Sequence, residues 1–150
     1  MYYISRAGEI RLIDDAIQRP NGITLSLDEK TLYVDDTEGE FVYAFDVQDD
    51  GRVTGKRAFV QLKEPEKGSL GLRSRGDGMA LDSSGRLYVA TAAGIQVIAP
   101  TGTHLGIIRV PAVARNLAFA GPDRRTLYLT ALEALYRVRV LSEGPAGRAK

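Results

Sequence analysis

The chain has 150 residues, 44% of them apolar and 26% charged, which is enough for one domain with a buried core and ordinary globular composition. A net charge of +1 gives no bulk attraction to nucleic acid or to an anionic membrane. The absence of cysteine excludes disulfides, thiolate nucleophiles and Cys-based zinc sites, and a single histidine, His104, excludes a histidine cluster or relay.

The N-terminal stretch "MYYISRAGEIRLID" carries two short alternating runs and no signal-peptide core. No apolar run approaches 18 residues, and the expectation is a cytoplasmic protein with no membrane partner. Asp14 to Gln18 is the one helix-compatible stretch, too short to hold on its own. Next comes "RPNGITLS", where Asn21-Gly22 reads as a turn ahead of an alternating strand. From there period-2 runs dominate: "TLYVDD", "FVYAFDV", "RLYVAT", "GIQVIAP", "LGIIRV", "NLAFA", "TLYLTA" and "LYRVRV". Val, Ile, Tyr and Thr fill them, with Gly, Asp, Asn and Pro between. The fold class is all-β.

Three segments superimpose: "NGITLSLDEKTLYVDDT", "DGMALDSSGRLYVAT" and "NLAFAGPDRRTLYLTA". From leading residue to tyrosine the step is 12 for Asn21–Tyr33, 11 for Asp77–Tyr88 and 12 for Asn116–Tyr128. The leading residues lie 56 and 39 apart. The second interval is a four-strand blade period of ~40 residues, and the first is that period plus an insertion, "QLKEPEKGSLGLRSRG". The sequence thus predicts β-propeller blades of four antiparallel strands: a partial blade over 1–18, blades over 21–62, 77–111 and 116–141, an insertion loop over 61–76, and a tail over 142–150 expected to fray. Roughly thirteen strands result, and four blades are the usual minimum for closure. An open stack of about three blades, half of a six-bladed ring, leaves apolar faces and strand edges to be covered.

In a propeller the innermost strands start near the axis, so Asn21, Asp77 and Asn116 converge on one tunnel mouth. One carboxylate and two amide oxygens are hard donors suited to Ca²⁺ or Mg²⁺ and tolerated by Mn²⁺; the competing reading is three polar residues capping turns. Asp36 lies on the same side, as a supporting group or as a turn aspartate. The insertion hangs over this face, so Lys63, Lys67, Arg73 and Arg75 either meet an acidic or hydroxylated substrate or form a solvated loop. His104, in "PTGTHLG", is expected on a surface turn, and Tyr33, Tyr88 and Tyr128 in inter-blade packing. No G-x-S-x-G elbow, phosphate loop or dinucleotide fingerprint occurs.

The segments "RPNGITLSLDEKTLYVDDT", "GDGMALDSSGRLYVAT", "GIQVIAPTGTHLGIIRVP" and "NLAFAGPDRRTLYLTALEALYRVRV" resemble the C-terminal half of the gluconolactonase family, which includes senescence marker protein 30 and luciferin-regenerating enzyme. The resemblance implies a six-bladed propeller holding one divalent cation, Ca²⁺ foremost with Mg²⁺, Mn²⁺ or Zn²⁺ as alternatives, and hydrolysis of sugar lactones. It matches Asn21 and Asp77 to two metal ligands and makes Asp77 the general base. The family's glutamate ligand lies in the half not represented here. Gly76 stands where the family usually has proline, which is expected to loosen the loop aiming Asp77. A metal-dependent lactonase, or a remnant of one, is the implied function. The alternative is a non-catalytic propeller segment that binds a protein partner or completes a ring by assembly. A homodimer is the expected assembly, although two chains give about 26 strands where six four-stranded blades take 24.

Overall fold

A computed structural model describes residues 1–147. Among them are fifteen strands and no helix, and no helix long and apolar enough to cross a membrane. The leading hairpin pairs β1 (Tyr2–Ile4) with β2 (Ile10–Leu12). A four-stranded antiparallel sheet follows in chain order, β3 (Pro20–Leu25), β4 (Thr31–Asp36), β5 (Phe41–Val47) and β6 (Val53–Gln61). The insertion folds into its own hairpin, β7 (Glu66–Gly68) and β8 (Gly71–Arg73), rather than remaining a loop. The second four-stranded sheet is β9 (Met79–Leu81), β10 (Leu87–Thr91), β11 (Gly94–Ile98) and β12 (His104–Ile108). Last is a three-stranded sheet, β13 (Ala114–Ala120), β14 (Thr126–Ala131) and β15 (Leu135–Arg139). These meandering sheets are propeller blades: of the innermost strands, β9 lies between β3 and β13 along the stack.

The second strand of each blade shows why they stack. In β4, Leu32 and Val34 face a core completed by Ile17 and Phe45, whereas Tyr33 faces Met79, Leu81 and Leu87 of the next blade. In β10, Leu87 and Val89 face backward while Tyr88 and Ala90 face forward onto Leu117, Phe119 and Leu127. Period-2 alternation therefore assigns alternate side chains to two different neighbours. Each large apolar side chain buried this way contributes about 1.5–3 kcal/mol. In the first two blades the Leu-Tyr tyrosine faces the following blade. Tyr33 and Tyr88 are 8% and 3% exposed, but Tyr128 is 36% exposed, with Leu135 beside it at 68%. The expectation that all three tyrosines are core fails at Tyr128 because no described blade follows β14.

Asp14–Gln18, too short for a helix, is a bend in which Asp14 Oδ1 accepts from the amides of Ala16 and Ile17 at 3.0 and 2.8 Å. Two other expectations need correction. His104 is half-buried on β12 rather than on a surface turn. Its Nε2 lies 3.0 Å from Oε1 of the fully buried Gln96, and burial plus the charge of Lys63 holds its pKa below the ordinary value. Residues 142–144 do not fray. The Tyr88 hydroxyl lies 2.8 Å from Ser142 Oγ, the Ser83 amide donates to the Glu143 carbonyl at 2.7 Å, and Gly144 N donates to the Arg124 carbonyl at 2.8 Å. The last three residues of the predicted tail, 148–150, lie outside the described residues.

Because Leu87 is clamped between two blades and Leu105 is mostly exposed, their truncations separate packing from surface effects. Leu87→Ala is expected to cost about 2–5 kcal/mol and Leu105→Ala no more than about 0.5 kcal/mol, both read from urea unfolding at fixed protein concentration.

Candidate metal and substrate site

Each candidate site residue sits at or beside an irregularity in an innermost strand. The β3–β4 register slips between Pro20 and Ile23, so Asn21 and Gly22 together oppose Asp35. Asn21-Gly22 is thus a β-bulge inside a strand, not a turn before one. In the second blade, Ala90 accepts from the Asp77 amide and donates to the Gly78 carbonyl, both at 3.0 Å, so two residues again oppose one. In the third, the register slips between Ala114 and Asn116. Bulges bend a strand and re-aim its side chains, here at the same end of all three blades.

Hydrogen bonds draw these bulges together. Asn21 Nδ2 donates to Thr37 Oγ1 at 3.1 Å, and Thr37 Oγ1 donates to the Gly76 carbonyl at 2.7 Å, joining the first bulge to the loop before Asp77. Gly78 N donates to the Arg115 carbonyl at 2.7 Å, joining the second bulge to the third. The loop at Gly76 is therefore not loose: Gly76 N also donates to Ser74 Oγ at 3.2 Å. Gly22 must be glycine, because a Cβ there would meet the Asp77 carbonyl and come within 2.5 Å of Asp35 Oδ2.

Asn21 and Asn116 are exposed and Asp77 half-buried, so all three face solvent at the mouth. Asn116 Oδ1 accepts from the Leu117 amide at 2.9 Å. Asp77 Oδ2 lies 3.5 Å from Arg115 Nη1, a cation that motif reading passed over because it precedes the repeat's leading residue. Asp36 is the turn aspartate: its carboxylate accepts from the amides of Gln18, Arg19 and Glu38 at 3.0–3.2 Å. Its neighbour Asp35, which sequence reading did not single out, is fully buried behind the mouth. Oδ1 accepts from Gly22 N at 2.9 Å, while Oδ2 has no hydrogen-bond partner. Burial pushes the Asp35 pKa well above the ordinary carboxylate value, offset in part by the Gly22 bond and reinforced by the charges of Asp77 and Asp36.

The insertion hairpin brings Arg73 and Arg75 near this face already paired. Arg73 bonds Glu66 Oε1 at 3.0 Å and Glu38 Oε2 at 3.1 Å, and Arg75 lies 3.6 Å from Glu66. Among the described residues no group of three or more His, Cys, Asp or Glu gathers to hold a metal. The donors at the mouth are a mixed carboxylate–amide set.

Residues 1–133 match the SMP-30/Gluconolactonase/LRE-like region. The chain belongs to this family. The gluconolactonase of Zymomonas mobilis subsp. mobilis is 29% identical over 147 residues, covering 96% of this chain and 41% of that protein. The 6-deoxy-6-sulfogluconolactonase of Pseudomonas putida is 34% identical over 128 residues, covering 83% and 42%. A solved luciferin-regenerating enzyme superimposes with a TM-score of 0.80 at 24% identity, covering 97% of this chain and 53% of that one, which confirms the propeller fold. The chain spans about two fifths of the length of these curated relatives.

Gly22→Ala is expected to cost about 1–3 kcal/mol, since the added methyl meets backbone that has no room to yield. Gly106→Ala, whose Cβ meets nothing within 4 Å, is expected to stay within about 0.5 kcal/mol. Thermal unfolding of the two variants beside the parent checks the contrast.

Proposed function

We propose that this chain carries the cation- and lactone-binding mouth of a gluconolactonase-type hydrolase. The observation that carries the reading is the placement of Asn21, Asp77 and Asn116 at three linked irregularities at one end of the blades. Relatives named gluconolactonase and 6-deoxy-6-sulfogluconolactonase support lactone opening as the chemistry.

The residues present fit a hard divalent cation as part of its shell. Asp77 supplies one anionic oxygen, and the Asn21 and Asn116 side chains supply amide oxygens. The Thr37 bond holds the Asn21 amide by its nitrogen, which leaves the carbonyl oxygen for a ligand. Ca²⁺ takes six to eight oxygens and accepts amide carbonyls, which favours it over Zn²⁺ with its nitrogen and sulfur ligands; Mg²⁺ and Mn²⁺ are the nearer alternatives. Such an ion would supply Lewis acidity toward a lactone carbonyl. Asp77 takes up the proton of the attacking water, and hydrolysis opens the ring at the acyl–oxygen bond to give the hydroxy acid. Arg115, 3.5 Å from Asp77, steadies it and offers a cation to the substrate's oxygens. Arg73 and Arg75 reach substrate hydroxyls only if their pairing with Glu38 and Glu66 is exchanged.

The two open faces support a homodimer that closes the ring. One face exposes Tyr128 and Leu135, and the other exposes Tyr2, Ile4, Ile10, Leu12 and Ile23. A second copy would cover both by two-fold pairing, the commonest oligomer symmetry, and would bring a second Asp77 to the mouth beside the half-buried carboxylate this chain supplies.

Two experiments test the reading. In calorimetric titration with CaCl₂, Asp77→Ala is expected to abolish binding and Asn116→Ala to weaken it only slightly; unchanged affinity in the Asp77 variant would refute the site. With aldonolactones in a pH-stat, turnover should appear with Ca²⁺ and vanish with chelator, and no turnover with Ca²⁺, Mg²⁺, Mn²⁺ or Zn²⁺ leaves a binding segment instead. Sedimentation equilibrium decides the assembly: a folded species that stays at 16.3 kDa at micromolar concentration excludes the closed ring.

A further inference from the structure

Asp35 is the one described residue with a buried side-chain oxygen that lacks a hydrogen-bond partner. The blade does not need a carboxylate at this position. Two residues beyond the Leu-Tyr tyrosine, where the first blade has Asp35, the second has Ala90 and the third Thr130. Ala90 is as completely buried as Asp35 and packs in the apolar cluster between the second and third blades. An ionised carboxylate in that setting is strongly disfavoured unless an opposite charge compensates it. Among the described residues no cationic side chain pairs with it; its hydrogen-bond partner is the Gly22 amide.

The position of the orphaned oxygen is informative. Asp35 Oδ2 lies 2.5 Å from the point where a Gly22 Cβ would stand, a point that also abuts the Asp77 carbonyl. A Cβ on Gly76 would sit 3.0 Å from Asp35 Cγ. The carboxylate is therefore wedged between the bulge carrying Asn21 and the loop carrying Asp77, with a glycine on each side admitting it. Asp36, next in sequence, is already committed to three backbone amides.

We infer that Asp35 is a positioning residue of the mouth: its buried carboxyl, wedged between the Asn21 bulge and the Asp77 loop, strengthens divalent-cation binding at Asn21 and Asp77, and its Gly22 bond holds the bulge that carries Asn21. This rests on the cation reading above and adds to it a second carboxylate that faces inward. The energetic logic is reciprocal. A buried carboxyl with an unpartnered oxygen burdens the fold alone and is compensated when a dication arrives in front of it, so part of the binding free energy is the relief of that burden. The low-dielectric surroundings that make the lone carboxylate costly also strengthen its attraction to the ion.

The test compares the parent with Asp35→Asn and Asp35→Ala, using CaCl₂ and MnCl₂ in calorimetric titration and thermal unfolding with and without EDTA. Asparagine keeps an acceptor for Gly22 N but removes the charge; alanine copies what the second blade holds at Ala90 and removes both. Affinity is expected to fall about tenfold or more in both variants, as loss of a nearby charge requires, and the calcium-induced rise in melting temperature should shrink with it. In EDTA the asparagine variant should melt no lower than the parent. If asparagine restores parental affinity while alanine does not, Asp35 is only a hydrogen-bond peg and the inference is overturned. If both variants bind like the parent, Asp35 has no part in the site. If the parent itself binds neither ion, the cation reading fails at its source, a result distinct from the other two.

Discussion

A blade of this protein has two apolar faces, and each must be covered by something other than itself. Every feature of the stack follows from that requirement. Four antiparallel strands bury neither face alone, so the second strand divides its side chains, Leu32 and Val34 to one side and Tyr33 to the other, Leu87 and Val89 backward and Tyr88 forward. The stack is held by this alternation far more than by ion pairs, most of which are exposed and contribute little. The same requirement leaves Tyr128 and the face of the leading hairpin open.

Stacking also fixes the site. Once the blades pack through their second strands, their first strands are set side by side, and the irregularities at their starts become neighbours. The Thr37 and Gly78 hydrogen bonds then lock adjacent blades at that end. Asn21, Asp77 and Asn116 come from positions nearly a hundred residues apart, yet each rests on a strand whose place is set by a full apolar interface. A site built this way is rigid without a loop having to order around it, consistent with a binding mouth on a propeller axis.

The electrostatics of the mouth are unevenly arranged. Its outer cations, Arg73 and Arg75, are paired with Glu66, and Arg73 also with Glu38. Arg115 touches Asp77 from the third blade. Behind them Asp35 has no counter-ion among the described residues and lies against two glycine-containing loops. The fold keeps this carboxyl where its own repeat has Ala90 in the second blade and Thr130 in the third.

The strand order, the three blades, the insertion and the identity of Asn21 and Asp77 as leading residues were legible in the sequence, because alternation and a ~40-residue period are local properties of a chain. Family membership was legible for the same reason, as motifs in order at matching spacing. Tertiary structure alone decided what neighbouring residues with the same chemistry do. Asp35 and Asp36 are adjacent carboxylates at the end of one strand, and nothing in "YVDDT" ranks them. The pleat sends one into the interior and the other to backbone amides, and the bulge opposite determines which loops the inner one meets. Likewise Tyr33, Tyr88 and Tyr128 are equivalent in the repeat, and only the presence or absence of a following blade makes two of them core and leaves the third at a surface. Period and composition are written along the chain; parity, register and neighbours exist only once the blades have stacked.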